Sequence, residues 1–245
     1  MIPKVIHYCW FGNNPLPPLA IKCIDSWKKY LPDYEIKRWD ESNFDYNAIA
    51  YTRDAYKEKK YAFVSDYARF WILYHQGGLY FDTDVEIIKS MDDIIGKGSF
   101  MGCEADAISG SKTVKVAPGL CLGAEPGDPI YKALLNLYSS LSFYLPDGSL
   151  NLRTIVEYTT ETLYGFGLQN ITGIQQVGCL TIYPSDYFNP SHYVTKRLHI
   201  TDNTRSIHYG ASSWSDNPKR MGIKKWLRKH LPESWLILFN KLKNR

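Results

Sequence analysis

The sequence has no long apolar segment and no cysteine pattern typical of secreted or zinc-binding proteins. No run within its 245 residues reaches the length of about 18 apolar residues that a membrane-spanning helix requires. Its five cysteines are scattered and form no CxxC pair, which argues against a disulfide framework or a zinc site and favours a reducing compartment. The amino terminus lacks a charged region followed by an apolar run, so we expect no secretory signal.

Low-complexity tracts, internal repeats and long linkers are also missing, which favours one folded domain. What the sequence does contain is a high proportion of aromatic side chains. They make up 15% of the residues, led by 19 Tyr and 7 Trp. Most of them are expected in the core, but flat rings with a polar edge also suit stacking on sugars and bases.

Basic residues are concentrated at the end of the chain. Residues 219–245 contain nine Lys or Arg and one acid, a net charge of +8, whereas the whole chain carries +4. Residues 1–218 therefore carry a net charge of −4. A nucleic-acid-binding protein is expected to spread basic residues over its body, so we expect no nucleic-acid partner. We predict one folded domain over residues 1–218 and a separate tail over residues 219–245.

The tail has the pattern of a basic amphipathic helix. Apolar residues recur at helical spacing on both sides of Pro232, and Lys and Arg occupy other positions. Trp, Phe and Leu beside basic residues are what an interfacial anchor on an anionic membrane requires. This interpretation predicts a cytoplasmic protein bound peripherally to the inner face of the cell membrane. The alternative is a C-terminal helix that packs on the domain with its basic residues in solvent.

The rest of the chain alternates between strand and helix patterns. Apolar residues at helical spacing predict helices over residues 17–31, 47–60, 63–76, 129–141 and 153–163. Short apolar or alternating runs predict strands over residues 4–8, 34–39, 79–81, 85–88, 100–103, 120–123, 180–183 and 206–209. This order predicts an α/β domain of the kind that binds nucleotides.

Two acidic residues, Asp82 and Asp84, come directly after the predicted strand 79–81. Because side chains two apart in a strand point to the same side, we expect both carboxylates to converge on one ion. Oxygen ligands suit Mg²⁺ or Mn²⁺, and such a cation neutralises charge on a leaving diphosphate. The alternative is a solvated turn, since so short a pattern recurs by chance in many proteins.

A charged pair, Asp66 and Arg69, lies near the start of the predicted helix 63–76, for which Ser65 is the expected N-cap. Their spacing places both side chains on one helical face. We expect both groups at the helix N-terminus, directed at ribose or sugar hydroxyls. The alternative is a surface ion pair, which would contribute little stability.

Three ordered motifs resemble one known family. The first is Ile2-Pro-Lys-Val-Ile-His-x-x-Trp-Phe-Gly12, and the second is Ser65-Asp-Tyr-Ala-Arg69 followed by Gly77-Gly-x-Tyr-x-Asp-x-Asp84. The third is His208-x4-Ser213-Trp214. Together they resemble the glycosyltransferases whose sugar-binding region contains a DxD motif, family 32 of the retaining enzymes.

The resemblance implies a glycosyltransferase-A fold, a single Rossmann-like α/β domain with a mixed, mostly parallel central sheet. It implies Mn²⁺- or Mg²⁺-dependent transfer of a hexose or N-acetylhexosamine from a nucleotide diphosphate sugar, such as a UDP-sugar, to a saccharide acceptor. Retention of anomeric configuration is part of this expectation. Surface or capsular polysaccharide synthesis is the implied process, and a membrane location would suit a lipid-linked acceptor.

The resemblance also assigns roles around the donor. Tyr8, Trp10 and Phe11 would hold the base of the nucleotide. Asp66 and Arg69 would contact the ribose and the donor sugar.

The remaining roles concern the metal and the diphosphate. By the same resemblance, Asp82 would contact sugar or ribose, while Asp84 binds the metal with His208, and Asp82 completes the expected ligand set. Ser213 and the indole N–H of Trp214 would donate hydrogen bonds to the diphosphate. Asp82, Asp84 and Trp214 form the expected catalytic set.

Two further acids and two other functions are compatible with the sequence. Glu104 and Asp106 are candidates for contact with the acceptor, or they belong to a solvated loop. A metal-dependent phosphohydrolase or nucleotidyltransferase would use Asp82 and Asp84 in a two-metal site, but it would normally need further acidic ligands. A non-catalytic carbohydrate-binding module would account for the aromatic content alone.

Overall fold

A computed structural model describes residues 1–107, 113–191 and 197–211, together with positions 195 and 232. The strands within these residues are β1 (Val5–Cys9), β2 (Glu35–Trp39), β3 (Gly78–Tyr80), β4 (Val85–Ile87), β5 (Phe100–Ala105), β6 (Lys115–Val116), β7 (Leu122–Ala124), β8 (Gln175–Val177), β9 (Leu180–Tyr183) and β10 (Ser206–His208). The helices are α1 (Pro18–Tyr30), α2 (Ala50–Lys57), α3 (Tyr61–Gln76), α4 (Asp92–Ile95), α5 (Pro129–Ser140), α6 (Ile155–Gly165) and α7 (Ser185–Phe188). The predicted domain boundary and, apart from Pro232, the basic tail lie outside the described residues.

Eight of the strands form one sheet in the order β2-β1-β3-β7-β5-β9-β8, with β6 paired to β5. Strand β1 pairs in parallel with β2 and β3, and β5 pairs in parallel with β9. Strand β7 runs antiparallel to both β3 and β5. The predicted mixed α/β sheet is confirmed, but parallel pairings do not predominate among these strands, because β7, β6 and β8 all pair antiparallel to their neighbours.

The main sheet separates two hydrophobic clusters. Helix α1 starts at a Pro-Pro pair, whose restricted φ suits the first helical turn, and buries a face that includes Trp27 against Phe81. Helix α3 is buried along most of its length and belongs to the other cluster with α5. Each fully buried large apolar side chain contributes about 1.5–3 kcal/mol through the hydrophobic effect. No helix in the described ranges is both long enough and apolar enough to cross a membrane.

Strands β4 and β10 form a separate two-stranded antiparallel sheet, which we call the ribbon (Val85–Ile87 and Ser206–His208). Helix α1 holds the β4 side of the ribbon. The indole N–H of Trp27 donates to the carbonyl of Val85 at 2.7 Å, and the Ile87 N–H donates to the Ser26 hydroxyl at 2.9 Å. The ribbon is therefore fixed to the domain through backbone groups next to the Asp82–Asp84 segment.

Several predicted boundaries were wrong. Helix α3 begins at Tyr61, not at 63, so Ser65 lies inside the helix and its hydroxyl donates to the Tyr61 carbonyl at 3.1 Å instead of capping the N-terminus. Helix α2 is shorter than the predicted 47–60. The sequence did not predict α4, α7, β6 or β8, because two to four residues are too few for a hydrophobic period to be visible. The predicted stop at Gly77 is confirmed, with φ of 64° at that residue.

A buried histidine, His7, joins β1 to β2 and to the end of α3. The Trp39 indole N–H donates to His7 Nδ1 at 3.0 Å, so the ring proton is on Nε2, which lies 3.0 Å from the Gly77 carbonyl and donates to it. Burial lowers the pKa of His7 to about 4. The neutral imidazole is thus part of the native hydrogen-bond network, and a second proton would have no acceptor.

We expect His7 to make the protein less stable in acid. Below pH 6.5 the unfolded state takes up a proton at this histidine, whereas the native state does not until its pKa of about 4. Stability that is complete above pH 6.5 is therefore lost as the pH falls to 4, by at most about 3 kcal/mol. Urea unfolding of wild type and His7→Gln across this range measures the difference. Parallel pH profiles of the two proteins would contradict the assignment.

Candidate functional site

Three side chains that suit a metal ion converge beside the ribbon. Asp82 and Asp84 lie in the link between β3 and β4, and His208 is the last residue of β10, opposite Val85. One ligand atom from each of Asp82, Asp84 and His208 lies within 4.8 Å of the others. The convergence of the two carboxylates is confirmed, but the predicted reason was wrong. Asp82–Asp84 is a turn closed by a hydrogen bond from the Val85 N–H to the Asp82 carbonyl at 3.1 Å, not an extended strand.

Asp84 is held by the chain that follows β10. Its Oδ1 lies 3.2 Å from His208 Nε2, and its Oδ2 accepts from the Ala211 N–H at 2.6 Å. Although burial would raise it, the pKa of Asp84 lies below its usual value because these donors stabilise the carboxylate. Burial would lower the pKa of His208, but the hydrogen bond to Asp84 and the charges of Asp84 and Asp82 raise it above its usual value.

Asp82 is held by α3 and β3. Arg69 Nη1 donates to Asp82 Oδ2 at 3.4 Å, its Nη2 lies 3.2 Å from Oδ1, and the Tyr80 hydroxyl donates to Oδ1 at 3.3 Å. Burial raises the pKa of Asp82, and the nearby charge of Asp84 raises it further against the opposing effect of Arg69. Asp82 therefore has a fixed orientation next to a second carboxylate.

Arg69 also bonds Asp66, with Nη2 to Oδ1 at 3.1 Å. Both residues lie in the interior of α3, so their predicted placement at a helix N-terminus was wrong; the helix starts five residues before Asp66. The side chains of Arg69 and Asp66 are 4% and 10% exposed, which rules out the alternative of a surface ion pair. Burial raises the pKa of Asp66, with Arg69 opposing it.

The charges of this cluster favour a cation. Arg69 pairs with Asp66 and Asp82, while Asp84 contacts His208 and the Ala211 N–H, so Asp84 lies beside Asp82 with no Arg or Lys partner among these contacts. A divalent ion would neutralise the Asp82 and Asp84 carboxylates together. Two carboxylates and one imidazole form a mixed oxygen and nitrogen donor set. Carboxylates suit both Mg²⁺ and Mn²⁺, and the imidazole favours Mn²⁺ over Mg²⁺, which prefers oxygen. The residues present fit the expected cofactor.

Gly119 lies directly against the site, a feature that sequence reasoning did not identify. Its carbonyl accepts from the Asp82 N–H at 3.3 Å. A Cβ at position 119 would overlap Asp82 Oδ2 and lie 3.4 Å from Arg69 Nη1. Glycine is therefore required here by the close approach of the Asp82 carboxylate. The close approach of Gly119 to Asp82 is visible only in the folded structure.

The predicted base-binding residues lie at the exit of β1. Tyr8 and Phe11 are 7% and 5% exposed and belong to the two hydrophobic clusters. Trp10 is less buried, and its indole N–H donates to the Asn14 carbonyl at 2.7 Å. The Gly12 N–H donates to Glu41 at 2.6 Å, which ties this exit loop to the end of β2. The predicted roles of Tyr8, Trp10 and Phe11 stay predictions.

The two acidic candidates for acceptor contact differ in their surroundings. Asp106 accepts from both the N–H and the hydroxyl of Ser185, at 2.9 and 2.6 Å, so its carboxylate caps α7. Glu104 is partly exposed. Burial opposes the raised pKa of His208, and the negative charge of Glu104 contributes to raising it. Ser213 and Trp214 lie outside the described residues, and their roles stay predictions.

The sequence matches a known family model. Residues 17–101 match the glycosyltransferase sugar-binding region containing a DXD motif. The matched range contains α3, the Asp66–Arg69 pair and the Asp82–Asp84 turn. The family match therefore includes the two aspartates of the site, whereas His208 and Gly119 lie beyond its end.

Several curated proteins are similar to this chain. Inositol phosphoceramide mannosyltransferase 1 of Schizosaccharomyces pombe is 28% identical over 148 residues, which are 56% of this chain and 43% of that protein. Inositol phosphoceramide mannosyltransferase 3 of the same yeast is 33% identical over 98 residues, which are 38% of this chain and 27% of that protein. The chain thus spans less than half of these two relatives. An uncharacterized glycosyltransferase of Acanthamoeba polyphaga mimivirus is 25% identical over 230 residues, with 89% and 86% of the two chains covered.

The solved structures show the same fold. The PaToxG glycosyltransferase aligns with a TM-score of 0.50 and 22% identity over 67% of this chain and 69% of that one. This likeness supports the α/β glycosyltransferase-A fold with a mixed central sheet. Residues 17–101 of this chain are thus similar to the sugar-binding region of glycosyltransferases that contains a DXD motif, and Asp82 and Asp84 stand at the two acidic positions of that motif.

Proposed function

We propose that this chain transfers a hexose or N-acetylhexosamine from a nucleotide diphosphate sugar, most simply a UDP-sugar, to a saccharide acceptor. The observation that carries the proposal is the convergence of Asp82, Asp84 and His208 within 4.8 Å, because both carboxylates of this group belong to the match to a glycosyltransferase sugar-binding region. Two similar proteins are mannosyltransferases by name, which agrees with a hexose. Retention of configuration is carried over from the family.

The contacts of the described residues support the roles that we propose for them. Asp84 and His208, with Asp82, would hold a Mn²⁺ ion, which when bound would neutralise the charge of the departing diphosphate. Arg69 fixes the Asp82 carboxylate and, with Asp66, presents a buried charged pair towards the ribose and donor sugar. Tyr8, Trp10 and Phe11 would contact the base at the exit of β1.

The chemistry we propose needs no protein nucleophile. The acceptor hydroxyl attacks the anomeric carbon from the side of the leaving group, and its proton passes to the departing β-phosphate oxygen. Ser213 and Trp214 would donate hydrogen bonds to that diphosphate, so electrostatic stabilisation of the leaving group supplies most of the catalysis. A two-metal phosphohydrolase has less support, since the described residues contain a single group of three metal-ligating side chains.

A donor screen tests the proposed function. The protein is incubated with a panel of UDP- and GDP-sugars and Mn²⁺, and release of nucleotide by slow hydrolysis is measured. We expect release of a nucleoside diphosphate from one donor, and loss of that release when EDTA is added. Release of sugar phosphate or pyrophosphate would instead indicate the hydrolase or nucleotidyltransferase. No release above the EDTA control from any donor would contradict the proposal.

We also propose that residues 219–245 bind an anionic membrane surface and that the acceptor is a lipid-linked saccharide of surface or capsular polysaccharide synthesis. The support is the net charge of +8 together with the apolar residues that recur at helical spacing in the sequence of the tail. Two similar proteins act, by name, on a ceramide lipid, which agrees with an acceptor in a membrane.

Truncation of the tail is expected to release the protein from anionic vesicles. Each basic residue near an anionic leaflet contributes about 1 kcal/mol, so the full-length chain should co-sediment with anionic vesicles at low salt but not with neutral ones. A chain ending at Lys219 should stay in the supernatant. In a second variant, four basic residues are changed to Gln: Lys224, Lys225, Arg228 and Lys229. This variant keeps the apolar residues of the tail, so it separates the effect of charge on vesicle binding from the effect of hydrophobicity. Equal binding by full-length and truncated protein would refute the anchor.

A further inference from the structure

Three polar side chains, Lys22, Glu86 and Tyr209, form a closed hydrogen-bonded group, which we call the clasp. Lys22 Nζ on α1 lies 2.7 Å from Glu86 Oε2 on β4 and 3.2 Å from the Tyr209 hydroxyl. The Tyr209 hydroxyl also donates to Glu86, and the Lys22 ammonium lies 5.2 Å from the centre of the Tyr209 ring. Each member of the clasp thus contacts the other two.

The clasp joins three elements of the site. Tyr209 follows His208 directly, and its N–H donates to the Asp84 carbonyl at 3.0 Å, which extends the ribbon by one residue pair. Glu86 pairs with Ile207, so Glu86 and Tyr209 are diagonal neighbours across the ribbon. Two residues beyond Tyr209, the Ala211 N–H donates to the Asp84 carboxylate. Tyr209 therefore lies in the chain between His208 and Ala211, the two residues that contact the Asp84 carboxylate.

Helix α1 gives the clasp a rigid base. Trp27 and Ser26 bond the backbone of β4 directly, and they lie on the same helix as Lys22. The partner strand β10 reaches this helix through Tyr209. The clasp is therefore a side-chain contact, in addition to the backbone pairing of the ribbon, between α1 and the segment that contains His208 and Ala211.

We propose that Lys22, Glu86 and Tyr209 are positioning residues for the metal centre, holding His208 and the Ala211 N–H in register with Asp84. The inference rests on the proposed function, because it concerns the metal that this function requires. The Lys22 side chain is 56% exposed, and an exposed ion pair contributes little to global stability. Ligand geometry is more sensitive, since loss of groups that orient metal ligands typically weakens metal binding about 10–100-fold.

The test measures the binding of Mn²⁺ to the protein without any substrate. Electron paramagnetic resonance detects the Mn²⁺ that stays free. We expect Tyr209→Phe and Lys22→Met to raise the dissociation constant for Mn²⁺ about tenfold. Lys22→Arg, which keeps a donor for both partners, should retain most of the affinity. The matched control is Lys28→Met, because Lys28 also lies exposed on α1 but pairs with Asp25 within the helix. This control should bind Mn²⁺ as wild type does.

Melting temperatures without metal distinguish positioning from folding. Tyr209→Phe and Lys22→Met should melt within about 2 °C of Lys28→Met, since the contacts that each variant loses are made by exposed side chains. Unchanged Mn²⁺ affinity in Tyr209→Phe and Lys22→Met, with wild type binding the ion, would overturn the clasp alone. A metal-free melting temperature that falls well below the control would also overturn it, as a structural role. Wild type that binds no Mn²⁺ would overturn both the clasp and the metal of the proposed function.

Discussion

Asp84→Ala is expected to abolish metal-dependent transfer, with a loss of about 10³-fold or more in kcat/KM, because a bound metal contributes several kcal/mol to stabilisation of the leaving group. Asp84 is the residue on which the site converges. Asp84 contacts His208 and the Ala211 N–H, and one of its carboxylate oxygens lies within 4.8 Å of an Asp82 carboxylate oxygen. Its removal takes away one anionic ligand and also the acceptor that holds the chain after β10. Turnover and Mn²⁺ binding should therefore fall together.

The control for Asp84→Ala is another paired carboxylate. Asp93 accepts two hydrogen bonds from Arg205, at 3.3 and 2.8 Å, and it does not belong to the group formed by Asp82, Asp84 and His208. Asp93→Ala should lose some stability and keep turnover. Circular dichroism should show that both variants are folded under assay conditions. Near wild-type transfer by Asp84→Ala in Mn²⁺ would show that the metal site is assigned wrongly.

Gly119→Ala should cost about 10²-fold or more in kcat while the fold survives, a size comparable to removing one group that stabilises the transition state. The added methyl would overlap Asp82 Oδ2, and the atom that must move is the end of a side chain, not backbone. Asp82 is, however, held by Arg69 and Tyr80, so moving it breaks these contacts. The strain should therefore fall on the site and leave the core intact.

Gly165→Ala is the matched control for this variant. Gly165 lies at the end of α6, and a Cβ there meets no atom within 4 Å. Its kcat and melting temperature should stay at the wild-type values. The comparison is made from kcat, KM for the donor and melting temperature of the three proteins. If Gly119→Ala turns over like Gly165→Ala, the Asp82 orientation shown here is not needed for the reaction.

Local features of the fold were predictable because they depend on neighbours in the chain. The Pro-Pro start of α1, the apolar period of α3 and its end at Gly77 all act within one or two helical turns. The short elements α4 and β8 were missed, since three or four residues are too few for a hydrophobic period to be visible. The early start of α3 had a functional consequence. It moved Asp66 and Arg69 from a helix end to the buried interior.

The charged residues of the site show the same division. The closeness of the Asp82 and Asp84 carboxylates was predicted, but the expected reason for it, alternation along a strand, does not apply to a turn. The alternative of a surface ion pair for Asp66 and Arg69 depended on burial, which spacing alone does not reveal. No sequence motif includes Gly119, and Tyr209 occupies a position of the third motif at which no residue type is specified. Their importance lies in what packs against them.

The amino-acid sequence by itself determined the chemistry and the order of the motifs: an α/β chain, a DxD pair after a short strand, and a later histidine. These follow from residue type and local spacing. Only the tertiary structure decided that Ala211 bonds a carboxylate 127 positions away, that Arg69 joins Asp66 to Asp82, and that Gly119 leaves room for them. The physical reason is that these contacts form between segments brought together by strand pairing and burial, whose energies depend on the whole folded chain and not on any one stretch of it.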